Sequence, residues 1–422
     1  MTLLAAKKKA PGCSMSSLVL QIVNNVAGAG ILTLSAGLAP GVGTVPAALV
    51  CLGLGLISGL TFHLIGTACD ITGESSFKGL WSSTLGDDTA WVVDLSVALM
   101  CLSATIIYAG ILGDTSVQLL SLARLPARLN VRASNIGLIT LLALTPLSLL
   151  EDLSALAFTS ALGCVAILYS GAFIVMRALD GSYTLPAGAM LKTLPDALVP
   201  AFDKASRWNF DAKSLILVSN LGLAYIAHYN APTFYRALDQ TSPDRFGTVC
   251  AIAFGILSLL YLLIMLMGYK TFGDVTVGNI LRNYAEADPL AVLGRVATFA
   301  SILFGFPLAM LGLKDSLSSL LDLPKAYIKP TTLVLLAAIT AIAILITDIG
   351  LIVGISGALL GASIVYVFPA LIYYVARRNE KDKSLEAQHS QVASLEQSAV
   401  LLLVPFGIFL GVLGVWMTLK GA

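Results

Sequence analysis

The chain has 422 residues, of which 57% are hydrophobic and 12% charged, with a net charge of +1 and a mean hydropathy of +0.88. Soluble domains carry about 25% charged residues, so this composition excludes a soluble globular protein and describes an all-α integral membrane protein. The near-zero charge also excludes a nucleic-acid partner, which needs a basic face.

Apolar runs of roughly 17 to 25 residues read as membrane spans. About eleven are predicted, at 18–38, 45–68, 91–113, 134–150, 154–177, 213–236, 246–268, 290–313, 331–347, 350–376 and 398–418. The tail 1–17 carries Lys7-Lys8-Lys9, and no small-residue cleavage site matched to a short apolar core follows, so the first run is expected to be retained. Lysine and arginine bias, clearest in 377–397, orients the N-terminus to the cytoplasm and makes 377–397 a polar cytoplasmic linker before the eleventh helix in 398–422. Residues 178–212, with Pro186, Pro195 and Pro200, read as an exterior or luminal loop. In 114–133, leucines alternate with Arg124, Arg128 and Arg132, the pattern of an interfacial amphipathic helix whose arginines settle at headgroups. The six cysteines have no metal-site or CxxC spacing and read as small buried hydrophobes.

The first span contains Asn24-Asn25-Val26-Ala27-Gly28-Ala29-Gly30-Ile31. Glycine inside a helix costs about 1 kcal/mol relative to alanine, so Gly28 and Gly30 mark a place where the helix opens. Open backbone at membrane depth survives only where protein or a wet cavity covers it, and such interruptions form binding sites in secondary transporters. The sixth span carries a second break signal: Asn220 and Gly222, then His228-Tyr229-Asn230-Ala231-Pro232. Proline removes a backbone donor. Breaks five helices apart predict two inverted five-helix repeats, about 18–177 and 213–376, in a core of 18–376, with the eleventh helix added.

An opened first helix offers N–H groups to a carboxylate, and its freed carbonyls suit an ammonium or a cation. Candidate substrate residues are therefore Val26, Ala27, Gly28, Ala29, Gly30 and Ile31, with Ser219, Asn220, Leu221 and Ala224 from the sixth helix. His228 is the candidate proton-coupling group, because an ionisable side chain inside a membrane segment is expensive. His63 reads as structural, His389 as solvated, and Asp94 and Arg295 as snorkelling or paired charges. Enzyme motifs such as HExxH, GxSxG and the Walker loop are absent from the sequence.

Four ordered stretches carry a resemblance to a known family. They are NNVAGAGILTLSA (24–36), LGLAYIAHYNAPTFYRALDQTSPDRF (221–246), LIMLMGYKTFGDVTVGNILRNY (263–284) and FPLAMLGLKDSL (306–317). Together they resemble the amino acid/auxin permease family, over about residues 16 to 376, and sit closer to its neutral amino acid and vacuolar branches than to auxin carriers. The resemblance implies a leucine-transporter-like fold of eleven helices and secondary active transport of neutral amino acids by alternating access. It implies no cofactor beyond a coupling ion, H⁺ or Na⁺, and no enzymatic activity. It places Tyr108 as a substrate-capping aromatic and Asn24 as a sodium ligand, with Thr298 and Ser301 as the only nearby helix-eight hydroxyls. The turn before Pro307 has no hydroxyl, which favours H⁺ over a sodium site at Asn24 and Ser301. The expected setting is a monomer in the plasma membrane or a vacuolar or lysosomal membrane. The alternatives are a sodium-coupled carrier, or an amino acid sensor with little transport, against which the short N-terminal tail counts.

Overall fold

A computed structural model describes residues 12–421 except 124–125, 127–129, 151–157 and 384–396. Arg124, Arg128 and His389 therefore lie outside the described residues. The helices are α1 (Met15–Val26), α2 (Thr44–Thr72), α3 (Phe77–Leu85), α4 (Trp91–Leu122), α5 (Arg132–Ile139), α6 (Thr145–Ser148), α7 (Phe158–Leu179), α8 (Ser214–Ala224), α9 (Ala231–Ala237), α10 (Pro243–Phe272), α11 (Pro289–Leu321), α12 (Ile328–Leu345), α13 (Ile349–Ser356), α14 (Phe368–Lys383) and α15 (Leu403–Gly421). A π-helical stretch, Gly357–Val367, joins α13 to α14.

Among the described residues eight helices are long and apolar enough to cross a membrane, and a ninth is the bent pair Met15–Val26 and Gly30–Leu38. Two further runs of the eleven are present in pieces, and the one at 213–236 is the sixth run, in which a break was expected. The run at 134–150 is divided among α5, a π-turn Thr140–Leu144 and α6. The run at 213–236 is divided into α8 and α9. No single piece of either is long enough to span a bilayer.

The side chains are sorted as lipid demands. Leu56 on α2, Val334 and Leu345 on α12 are 69–80% exposed, whereas Ser58 and Thr61 on α2 are fully buried. Lipid tails are as apolar as leucine, so small and polar residues line helix–helix contacts instead. Gly222 and Gly357 show the consequence. A Cβ on Gly222 would meet the Gly357 carbonyl at 2.8 Å, and one on Gly357 would overlap the Ser219 carbonyl. These glycines let α8 lie directly on the π-helical stretch.

The predicted interfacial helix at 114–133 is also corrected. α4 continues without interruption to Leu122, and Arg132 opens α5. Arg132 does not reach for headgroups: its Nε donates to Asp114 at 2.7 Å and its Nη1 to the Ala343 carbonyl at 2.7 Å. Asp94 pairs with Lys78 on α3 at 2.6 Å and accepts from Ser319 on α11. Arg295 is fully buried, and its two terminal nitrogens donate to backbone carbonyls. His63 lies on α2 against α10, where a Cβ on Gly247 would come within 3.1 Å of its ring.

The segment 178–212 closes one end of the bundle. Its Asn209 and Ser206 carbonyls accept from Gly43 and Thr44, satisfying N–H groups at the start of α2 that have no intrahelical partner. At the other end the chain before α1 is stapled to the chain after α9: Cys13 N–H donates to Ala237 at 2.7 Å, and Asp239 N–H donates back to Cys13 at 2.9 Å.

Candidate substrate site

The first helix opens where its glycines predict. α1 ends at Val26, the Gly28 N–H turns back to the Val26 carbonyl at 2.7 Å, and the chain resumes as a 3-10 turn over Ala29–Thr33. The two halves meet at 55°. The leading N–H groups of the resumed turn have no partner within it, which makes them available to a ligand.

The second break lies later than expected. α8 runs unbroken through Asn220 and Gly222 to Ala224, and the interruption falls at 225–227, before a 3-10 turn His228–Asn230. Asn220 Nδ2 donates to the Thr33 carbonyl at 3.4 Å, and Gly222 serves close packing. The two breaks touch: a Cβ on Gly30 would sit 3.3 Å from Ala224 Cα. Gly30→Val is expected to force them apart, because overpacking costs about 1–3 kcal/mol. Substrate uptake should fall at least about tenfold, measured in proteoliposomes against protein amount.

A cavity of about 1200 Å³ runs along both breaks. It extends from Gly30, Ile31 and Ala224 past Asn24 and Asn25 to Ser17 at the start of α1 and Asp315 late in α11. Of the candidate residues, Val26, Ala27, Gly28, Gly30, Ile31, Ala224, Tyr108, Asn24, Thr298 and Ser301 line it. The Tyr108 hydroxyl lies 3.7 Å from where a Gly28 Cβ would stand. Ala29 contributes backbone at the break. Gly163 on α7 separates two of the candidate ion ligands: its Cβ position is 2.9 Å from Asn24 Oδ1 and 3.5 Å from Ser301 Oγ.

Ser219, Asn220 and Leu221 are buried away from the cavity. Ser219 donates to Leu215, and Leu221 is core. His228 is likewise not on the lining. It is fully buried, with Nε2 3.0 Å from Thr61 Oγ1 and 3.1 Å from the Ser58 carbonyl, and it packs edge-on against Phe62. Its neighbours Ile226, Tyr229 and Asn230 do face the cavity.

Sequence reasoning missed the residue that joins the two breaks. The Tyr261 hydroxyl on α10 lies 2.7 Å from the Ala224 carbonyl and 3.2 Å from the Val26 carbonyl, offering its proton to the last residues of both broken helices. A tyrosine in the middle of an apolar span was the available signal, since a buried hydroxyl usually finds a partner. The Asn230 amide also reaches Asn25 Oδ1 at 3.2 Å, linking the chain beyond each break.

Two interrupted helices lining a central cavity within a membrane bundle are the arrangement of the leucine-transporter fold. Solved structures agree on the fold: MhsT in complex with L-phenylalanine aligns with a TM-score of 0.58 at 13% identity over 96% of this chain and 100% of that one. The inward-facing conformation of Mhp1 aligns with a TM-score of 0.59 at 13% identity over 100% and 94%. The sequence then specifies the family: residues 11–419 match the transmembrane amino acid transporter protein family, and the chain belongs to it. It is a multi-pass amino acid transporter rather than an enzyme. Similar proteins include a Danio rerio protein provisionally named sodium-coupled neutral amino acid transporter 11, 28% identical over 86% of this chain and 80% of its own. The vacuolar amino acid transporter 5 of Schizosaccharomyces pombe is 26% identical over 85% and 83%.

Proposed function

We propose that the protein carries neutral amino acids through the central cavity, coupled to protons. The observation that carries this reading is the chemistry of the cavity wall. Among the described lining residues there is no lysine or arginine, and the one carboxylate, Asp315, stands far from the breaks toward the end of α11. Such a wall gives no counter-charge to an acidic side chain, while the backbone at Gly28–Gly30 and the hydroxyl of Tyr108 suit a zwitterion's carboxylate. Carbonyls freed at the ends of α1 and α8 suit its ammonium. Similarity to neutral and vacuolar amino acid transporters supports the same substrate class and a plasma or vacuolar membrane setting.

The central site would open alternately to each side by rocking α1, α2, α8, α9 and α10, drawn from both expected repeats, against the remainder, as a monomer. Protons would be exchanged by His228, behind the cavity wall, once that movement brings it to water. Sodium coupling is the second reading, favoured by one observation: Asn24 Oδ1 and Ser301 Oγ flank the bare Cα of Gly163, with oxygen atoms of the kind a hard cation takes.

Uptake of labelled L-alanine, L-glutamine and L-leucine into proteoliposomes, with pH and sodium gradients imposed separately, tests both. The expected result is accumulation under a pH gradient, abolished by a protonophore and lost in His228→Ala. Accumulation under sodium alone, lost in Ser301→Ala, establishes the second reading instead. No accumulation under either gradient sinks both.

A further inference from the structure

A second cavity, of about 750 Å³, lies at the other end of the molecule. The central cavity meets α4 between Met100 and Tyr108, around its middle. The second meets α4 at Asp114, Val117 and Gln118, near its C-terminal end, and is closed by Arg132, by 192–198 and by the chain just before α11. That last wall is held in place. Arg295, fully buried, donates to the carbonyls of Leu281, Tyr284, Ala285 and Glu286.

Four residues on these walls have a buried polar atom with no hydrogen-bond partner among the described residues: Asp114 Oδ2, Gln118 Oε1, Arg132 Nη2 and the Tyr284 hydroxyl. The Asp114 side chain is 2% exposed. Its Oδ1 takes the Arg132 Nε at 2.7 Å, but Oδ2 has only Arg282 Nη1 at 3.9 Å, beyond hydrogen-bond reach. Asp114 and Gln118 stand four residues apart, on one face of α4. Native structures seldom leave buried acceptors unpaired, and two together, facing a cavity, ask for a donor.

The surrounding charges decide which donor. A lone metal cation would face three cationic side chains, Arg132, Arg282 and Lys192, against the two carboxylates Asp114 and Glu286 on the same walls. A lone anion would suit those three but leave Asp114 Oδ2 and Gln118 Oε1 unpaired. A molecule carrying both an ammonium and a carboxylate a few ångströms apart satisfies both sets.

We propose that this cavity is a second binding site for a zwitterionic α-amino acid, separate from the central one. The ammonium is held by Asp114 Oδ2 and Gln118 Oε1. The carboxylate is held by Arg282 and Lys192, and Arg132 Nη2 is within the same wall. Leu194, Pro195 and Leu198 line the site, while the Tyr284 ring is engaged edge-on with Phe173 and Phe272, so it accepts small and medium side chains alike. The proposal rests on the reading that the protein carries neutral amino acids.

Equilibrium binding of labelled L-alanine, L-glutamine and L-leucine to the full chain in lipid nanodiscs tests it by stoichiometry. Two molecules per chain are expected for the wild type. One is expected for Gln118→Leu combined with Arg282→Gln, which leave the Asp114–Arg132 pair intact. One is also expected for Gly30→Val, in which the central site is blocked, and adding Gln118→Leu to Gly30→Val should weaken that remaining molecule at least tenfold. A wild type that binds one molecule, or a Gln118→Leu/Arg282→Gln variant that still binds two, overturns the second site and leaves the transport reading standing. A wild type that binds none of the three overturns both.

Discussion

Asp288→Ala is expected to lower the stability of the folded protein by roughly 3–5 kcal/mol, the usual effect of removing one partner from a buried ion pair. Asp288 is fully buried at the N-cap of α11, where its carboxylate accepts from Leu290 N–H at 3.0 Å. Arg177, at the end of α7, grips both of its oxygens, at 2.8 and 2.5 Å. Tyr183 donates to it at 2.8 Å and accepts from Ala285 N–H. Removing the carboxylate leaves a guanidinium, a phenol and a helix start without their shared acceptor. Burial alone pushes the Asp288 carboxyl up, but the bonds from Arg177 and Tyr183 outweigh it and hold the group below the usual carboxylate range. Burial, reinforced by the Asp288 charge, drives the Tyr183 phenol well above its ordinary value, so it stays a donor. Because the folded value of Asp288 is depressed, its contribution is complete above the unfolded value of about 3.9 and fades as pH falls below it through the folded value. Thermal melts in detergent across pH 3 to 7 check this. A wild-type midpoint that is flat through the acid range, or an Asp288→Ala midpoint equal to the wild type, would remove the argument.

Tyr261→Phe is expected to cut uptake by about 10- to 100-fold while costing less in thermal stability than Asp288→Ala. One hydroxyl holds Ala224 and Val26 at the ends of the two broken helices, and its loss leaves buried carbonyls unpaired at a cost of about 1–3 kcal/mol. That energy is lost where the ligand's own contacts are set, so it appears in transport. Tyr225→Phe is the control. Tyr225 belongs to the second break, but its hydroxyl bonds the Cys51 carbonyl at 3.0 Å and Ser258 Oγ at 3.1 Å, on α2 and α10, and does not join that break to the first. Initial uptake rates and melting midpoints for both variants decide it: equal transport losses in the two would make Tyr261 an ordinary core hydroxyl.

The membrane class, the family resemblance and the first break were legible in the sequence. Gly28 and Gly30 stand in an otherwise apolar helix, where glycine has no cheap explanation. Gly222 carries the same letter for the opposite reason, since it presses α8 onto Gly357, a residue 135 positions further along (357 − 222). No local pattern distinguishes a glycine that opens a helix from one that seats it on a neighbour. Arg132 misled in the same way. Read alone it belongs at a headgroup, and only the return of the chain brings it to Asp114, 18 residues back. His228 was legible as a buried ionisable group, but a 3-10 turn after the break aims it at Thr61 and not at the cavity.

The paired hydrogen bonds between Cys13 and the chain at Ala237 and Asp239 bear on how the cavity's mouth can widen. They join the approach to α1 with the exit from α9, and the Asn25–Asn230 contact joins the same two segments nearer the breaks. Swinging α1 outward alone would break these bonds. Swinging it with α9 breaks none of them, so the low-energy movement is that of one lever with two arms, hinged near Tyr261.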